Sequence, residues 1–288
     1  MKMILNVTDS AGKKQEFHLA GPVSVSREVL FSPKTKSPNA FHLPPIQTKT
    51  VEYEGQFIGD VKRGGSCNVD VLSYVPHGLT HIETAAHILN TDTKPFSIND
   101  IPPENLHGIV YLIDLAQYSA EPGAQIPWEP IETKLKQNRL PISMLALKTT
   151  ASLLPQDYDF SGKNFLSLSP NAALGIHDYR FYFPGSSKVK EEKRIDCLLL
   201  DLPSIDPEKD EGKLSDHRRY FGIPLTGHNA VDSEKRTIVE LAWFSHLNEG
   251  YYYAVITPPR FQTHAVTTGI FFYPLNHTPE PKKPPIVD

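Results

Sequence analysis

The sequence predicts a mixed α/β or α+β domain, on three observations. Six short aliphatic or aromatic runs, each bounded by Pro, Gly or Asp, read as buried strands. Helix-start signals fall between some of these runs. Proline is abundant, 26 of 288 residues or roughly 9% against a background of about 5%, which favours turns and argues against a helical bundle or coiled coil.

The elements follow in order. Met3–Val7 and Glu16–Leu19 form a candidate hairpin across the turn-like Asp9–Gly12. Ser32–Pro45, rich in Pro, Ser and Asn, reads as a long surface loop. The six buried runs are Ile109–Leu115, Met144–Thr149, Phe165–Leu168, Ile195–Asp201, Tyr251–Thr257 and Ala265–Tyr273. Glu129–Gln137 carries Pro130 near its start and apolar Ile131 and Leu135 four apart, which predicts a helix. Ser169, Pro170 and Asn171 predict a second, with Ser169 as N-cap and Pro170 at the first helical position. The charged segments Lys188–Arg194 and Asp206–Lys213 read as solvated loops. The Pro-rich stretch from Asn276 to Asp288 has little to bury and reads as an extended tail, which leaves residues 1–275 as one domain.

Composition excludes several classes of function. No run approaches the roughly 18–20 apolar residues of a membrane span. The opening MKMILNVTDS is too short in apolar residues for a signal peptide, and two cysteines, Cys67 and Cys197, exclude a disulfide scaffold. A cytoplasmic location is therefore expected. A net charge of −4 offers no global attraction for nucleic acid or an anionic membrane, and neither is expected as a partner.

The chemistry concentrates in Val75-Pro76-His77-Gly78-Leu79-Thr80-His81-Ile82-Glu83-Thr84-Ala85-Ala86-His87. His77, His81, Glu83 and His87 all lie at odd positions, so an extended chain would turn them to one face. Pro76 and Gly78 disfavour a helix through the first half. Imidazole plus carboxylate is a ligand set for Zn²⁺, Mn²⁺ or Fe²⁺. The alternative is a partly exposed loop whose histidines hydrogen-bond locally.

This stretch resembles the signature of the metal-dependent kynurenine formamidase and cyclase family, which includes isatin hydrolase and reads approximately H-x-G-T-H-x-D-x-P-x-H. His77, Thr80, His81 and His87 match it, and Glu83 stands at the Asp position. Downstream, His228 followed twelve residues later by Glu240 in Ile238-Val239-Glu240-Leu241 resembles the family's second block. Asp201-Leu202-Pro203-Ser204-Ile205-Asp206 resembles its D-T-P-S-I-D segment, and Leu106–Leu115 its strand after the signature. Gly78 directly after His77, Ala85 in place of Pro, and the first seventy residues depart from the pattern.

The resemblance implies a swivelling β/β/α fold with a mixed sheet, a homodimer or homotetramer, and a small-molecule substrate. It implies that His77, His81 and Glu83 hold a divalent metal, Zn²⁺ first and Mn²⁺ second. A second ion would be held by His228 and Glu240; with one ion, those two would serve as hydrogen-bonding groups. His87 is the implied general acid/base. The implied activity is hydrolysis of a C–N bond in an amide, aryl formamide or lactam. The alternatives are a cyclase or lactone hydrolase on the same site, or a binding protein that keeps the scaffold.

The other residues carry no such pattern. His107, His177, His217, His246 and His264 are assigned to surface or core hydrogen bonding. Cys197, in an apolar run, reads as a small buried hydrophobe. Tyr220, Phe221, Trp243 and Phe244 are core residues first and candidate pocket walls second.

Overall fold

The computed structural model describes residues 3–31, 34–90, 92, 94–118, 121–184, 190–229 and 235–277. Its centre is a mixed sheet of eleven strands. In chain order they are β1 (Ile4–Thr8), β2 (Lys14–Leu19), β3 (Val23–Ser24), β4 (His81–Thr84), β5 (His107–Asp114), β6 (Met144–Lys148), β7 (Cys197–Leu200), β8 (Thr237–Glu240), β9 (Gly250–Thr257), β10 (Ala265–Thr267) and β11 (Gly269–His277). Across the sheet they run β1-β2-β11-β9-β5-β6-β7-β8-β4-β10, with β3 paired to β11. Strands β5, β6, β7 and β8 are mutually parallel, and the strands on either flank are antiparallel. Among the described residues, three α-helices accompany them: α1 (Trp128–Lys136), α2 (Pro170–Asp178) and α3 (Ser215–Phe221).

The parallel strands are apolar on both faces because both faces are covered. Leu145, Leu147, Leu198, Leu200 and Ile238 point into one core, with Ile131 and Leu135 of α1, Ile176 of α2, and Tyr220 and Phe221 of α3. Met144, Ala146, Cys197, Leu199 and Val239 point into a second core with Phe244, Ile256, Ile270 and Phe272. Each such aliphatic side chain stabilises the fold by roughly 1.5–3 kcal/mol through burial. Trp243 is half-buried, while Tyr220, Phe221 and Phe244 are fully enclosed core residues.

The expected elements meet the structure with some differences. The β1–β2 hairpin forms, and the Asp9 carboxylate accepts from the backbone amides of Ala11 and Lys13 in its turn. Ser169 caps α2 by accepting from the Ala172 amide. Phe165–Leu168 shrinks to Ser167–Leu168, which pairs with Gln125–Ile126 outside the main sheet. The run Ala265–Tyr273 divides at Thr268, whose amide donates to the Thr80 carbonyl.

Lys190–Arg194 is a strand paired with Arg180–Pro184, where a solvated loop was expected. Glu192 meets Arg180 and the Tyr182 hydroxyl across that ladder, so opposed polar groups suit paired strands. Within Asp206–Lys213, Asp206 is buried rather than solvated. Strand β11 continues through His277, past the start expected for the tail; residues 278–288 lie outside the described ones. Among the described residues, no helix is long and apolar enough to cross a membrane.

Candidate metal centre

Two antiparallel strands align the centre. In the β4–β8 ladder, His81 pairs with Glu240 and Glu83 with Ile238. Alternation along β4 puts His81 and Glu83 on one face, and the pairing brings Glu240 to that face. Ile82 and Val239 point the other way, into the second core. His77 arrives from the 3-10 turn Pro76–Gly78 just before β4, where Pro76 sets the first position. His87 sits on the turn Ala85–His87 just after it, where the Thr84 side chain serves as cap.

The donor atoms converge. His77 Nδ1 lies 3.0 Å from His81 Nε2 and 3.6 Å from Glu83 Oε2. His81 Nε2 lies 3.8 Å from Glu83 Oε2 and 3.5 Å from Glu240 Oε2. One donor atom from each of His77, His81, Glu83 and Glu240 falls within 4.8 Å of all the others. His87 Nε2 is 4.0 Å from Glu83 Oε2, and its ring lies 4.4 Å from that of His77.

His217, expected to be a simple hydrogen-bonding histidine, enters this cluster. Its Nε2 lies 2.7 Å from Glu83 Oε1 and 3.5 Å from Glu240 Oε1. Helix α3 delivers it, and Asp206 holds it there. The Asp206 carboxylate accepts from the backbone amides of Asp216 and His217, at 2.8 and 3.1 Å, and from His217 Nδ1 at 2.5 Å. Gly222, at φ 68°, ends the helix in a left-handed conformation; a Cβ there would sit 2.7 Å from the His177 ring.

His228 lies elsewhere. It is exposed, and its Nδ1 donates to the Ile88 carbonyl at 2.8 Å, with an Arg218 guanidinium nitrogen 3.4 Å away. Its described contacts do not include Glu240; the histidines that meet Glu240 are His81 and His217. His264, also unmarked by the sequence, stands just before β10. Its ring stacks on those of His77 and His87, at 5.8 and 5.5 Å. Nδ1 and Nε2 positions of these three imidazoles form a second convergent set.

Proton placement follows from the partners. His81 Nδ1 faces the Leu79 carbonyl, which only accepts, so Nδ1 donates and Nε2 keeps a lone pair. His217 Nδ1 faces the Asp206 carboxylate with the same result. Both lone pairs point into the cluster, the tautomer that ligating histidines take when a carbonyl or carboxylate holds the other nitrogen.

The buried carboxylates pull the other way, favouring a proton on both nitrogens of His81 and His217, which a divalent cation held at the same point would displace. Burial pulls the His81 pKa down, but Glu83 and Glu240 outweigh it and leave it raised. His217 is raised well above its usual value, because Glu83, Asp206 and Glu240 outweigh burial. Burial opposes the charge on Glu83, yet His87 and His217 hold its carboxyl well below the usual range. Glu240 is pushed up by burial and by the Glu83 charge beside it. His77 falls to about 2 and His87 is lowered, both chiefly through burial.

Two buried carboxylates this close repel each other and have lost their water, a cost of several kcal/mol without a compensating cation. Glu83 Oε1 and Oε2, His77 Nε2 and His217 Nε2 are buried without a hydrogen-bond partner among the described residues. The 2.7 Å approach of His217 to Glu83 thus lacks hydrogen-bond alignment. Imidazole nitrogens and carboxylate oxygens aimed at common points fit a divalent metal ion.

The comparisons agree with this fold. No curated protein sequence matches the chain. Isatin hydrolase A from Labrenzia aggregata, solved bound to benzyl benzoate, superposes with a TM-score of 0.62 at 14% identity, over 88% of this chain and 93% of that one. Isatin hydrolase A from Ralstonia solanacearum gives 0.62 at 12%, over 88% and 91%. The predicted metal-dependent hydrolase from Bacillus stearothermophilus gives 0.58 at 18%, over 88% and 98%. The model of the Cyclase family, described as "Putative cyclase", matches residues 22–207, which include β4 and both flanking turns. That match spans well over half of the sequence, and the chain belongs to the Cyclase family.

Proposed function

We propose that this protein is a metal-dependent hydrolase of C–N bonds in a small molecule: an amide, aryl formamide or lactam. The observation that carries the reading is the convergence of His77, His81, His217, Glu83 and Glu240 with their free donor atoms facing inward. These five residues would hold Zn²⁺ or Mn²⁺, one ion or two. When bound, such an ion brings the pKa of water towards neutrality and polarises a carbonyl oxygen.

The residues of the chain do the rest. His87 stands at the edge of the cluster, partly open, with its imidazole kept neutral by burial. A neutral imidazole takes a proton from attacking water and returns it to the leaving nitrogen. Asp206 and the Leu79 carbonyl fix the rings of His217 and His81. The buried Ile205 amide donates to Glu240 Oε1 at 3.1 Å and fixes that carboxylate. The solved isatin hydrolases share this fold, and their name describes the same reaction class.

Elemental analysis of purified protein and of His81→Ala, followed by turnover of formanilide, tests the reading. One or two equivalents of Zn or Mn in the wild type, lost in the variant, together with formate release, are expected. No bound metal after reconstitution at neutral pH would overturn it.

A further inference from the structure

A cavity of about 730 Å³ opens beside the cluster. Its inner end is formed by Ala86, next to His87, and by His264, whose ring stacks on His77 and His87. Phe96 and Pro95 give it an apolar wall. Lys94 and Lys235 reach it from two separate segments of the chain. The volume falls within the roughly 300–1,000 Å³ usual for small-molecule sites.

The chain as a whole carries −4, yet two ammonium groups line this opening. Neither lysine has an ion-pair partner among the described residues. Among the described residues, the one carboxylate in the lining is Asp100, and it is already engaged. Its Oδ2 accepts from the Ser97 amide at 2.9 Å and the Ser97 hydroxyl at 2.6 Å. Asp100 also lies in the field of Arg260 as well as Lys235, so cations outnumber carboxylates among the described residues here. Arg260 donates its guanidinium to the carbonyls of Ile101 and Asn99, which leaves Lys94 and Lys235 as the free cations among the described residues of this lining.

We propose that the substrate is an anionic amide: an apolar, preferably aryl, body that carries a carboxylate recognised by Lys94 and Lys235, with its C–N bond at the histidine end of the cavity. This deepens the C–N hydrolase reading and rests on it. Phe96 and Pro95 cover the apolar body, and the Gln262 amide offers a further polar contact at the wall. Lys94 and Lys235 are thus specificity residues that touch the substrate remote from the bond that breaks.

The test compares metal-loaded wild type with Lys94→Ala, Lys235→Ala and the double variant on formanilide and on 2-, 3- and 4-formamidobenzoate. Calorimetric binding of the matching aminobenzoates and of aniline runs in parallel. Two partly exposed ammonium–carboxylate contacts amount to about tenfold in affinity. At least one formamidobenzoate is therefore expected to exceed formanilide about tenfold in kcat/KM. The double variant brings that ratio to within about twofold of unity, with the loss in KM rather than kcat. Lys235→Gln, which keeps length without charge, is expected to follow Lys235→Ala.

Equal turnover of neutral and anionic probes by wild type would overturn the inference while leaving the hydrolase reading intact. So would a preference that survives the double variant. If no probe is hydrolysed, the hydrolase reading fails separately and binding decides: aminobenzoate favoured over aniline, and lost in the double variant, sustains the lysine site. Equal binding of aminobenzoate and aniline overturns it.

Discussion

Replacement of Asp206 by Asn separates a structural role from a positioning one. The carboxylate accepts three N–H groups: Asp216 N on Oδ1, and His217 N and Nδ1 on Oδ2. In Asp206→Asn the amide oxygen keeps one of these sides and an NH₂ group faces the other. With the oxygen towards Asp216, two donors oppose the NH₂ group; with the amide turned over, the Asp216 amide is left unpaired. In the first orientation His217 loses the acceptor that fixes Nδ1–H, and its Nε2 no longer points as a lone pair at Glu83. Partners of this kind contribute roughly 10–100-fold to metal affinity. That factor corresponds to about 1.4–2.8 kcal/mol. A lost charge-assisted bond at the start of α3 adds about 1.5–3 kcal/mol of fold stability. The assay is Zn²⁺ or Mn²⁺ titration against a competing chelator, with thermal unfolding of metal-free protein as the control. A folded Asp206→Asn that binds metal within twofold of wild type would refute the claim that Asp206 orients a ligand.

Two further predictions concern the site and the scaffold. His217→Ala is expected to lose bound metal, at least about 100-fold in affinity, whereas His228→Ala keeps wild-type metal content; the reverse pattern on elemental analysis would return His228 to the centre. Asp9 in the β1–β2 turn has its pKa lowered, first by the Lys13 amide, against the opposing cost of burial. A carboxyl lowered in the fold contributes stability above its unfolded pKa of about 3.9 and loses it as pH falls through the folded value. Asp9→Ala should therefore cost about 1 kcal/mol at pH 7 and progressively less in acid below about pH 4, measured by urea unfolding; a pH-independent difference would exclude the carboxylate as the cause.

Much of the fold was legible because strands β5 to β8 are buried on both faces and so appear as continuous apolar runs such as Met144–Lys148. The β1–β2 hairpin and the Ser169 cap were legible for local reasons, since turn and cap chemistry involve neighbouring residues. Lys190–Arg194 was not, because its pairing depends on Arg180–Pro184 rather than on its own apolar content. The same contrast holds at the site. His77, His81, Glu83 and His87 lie within one short segment, so the sequence groups them directly. Glu240 reaches them through strand pairing and was found by its resemblance to a family block. His217 is 23 residues before Glu240, on a separate helix, and a rule of fixed spacing selects His228 instead. Asp206 was hidden at the head of an acidic segment whose other members face solvent or half-face it. His264 stands alone in the sequence, and only the pairing of β10 with β4 brings it beside His77.

The β4–β8 ladder has a consequence for how the molecule assembles. Side chains alternate with a period of two, so a slip of one residue in that pairing would turn Glu240 away from His81 and put Val239 in its place. The centre therefore reports strand register. It is also discontinuous: its first residues precede Glu240 by more than half of the chain, with strands β5, β6 and β7 between them in sequence. A nascent or truncated chain that ends before β8 holds His77, His81 and Glu83 without their partner carboxylate. Closure of so long a loop is entropically costly. A cation that binds the completed ladder more tightly than the open chain would stabilise it by mass action, by up to about 2.7 kcal/mol at a free concentration one hundred times Kd. In this molecule such an ion would act as a latch between two strands that lie far apart in the chain.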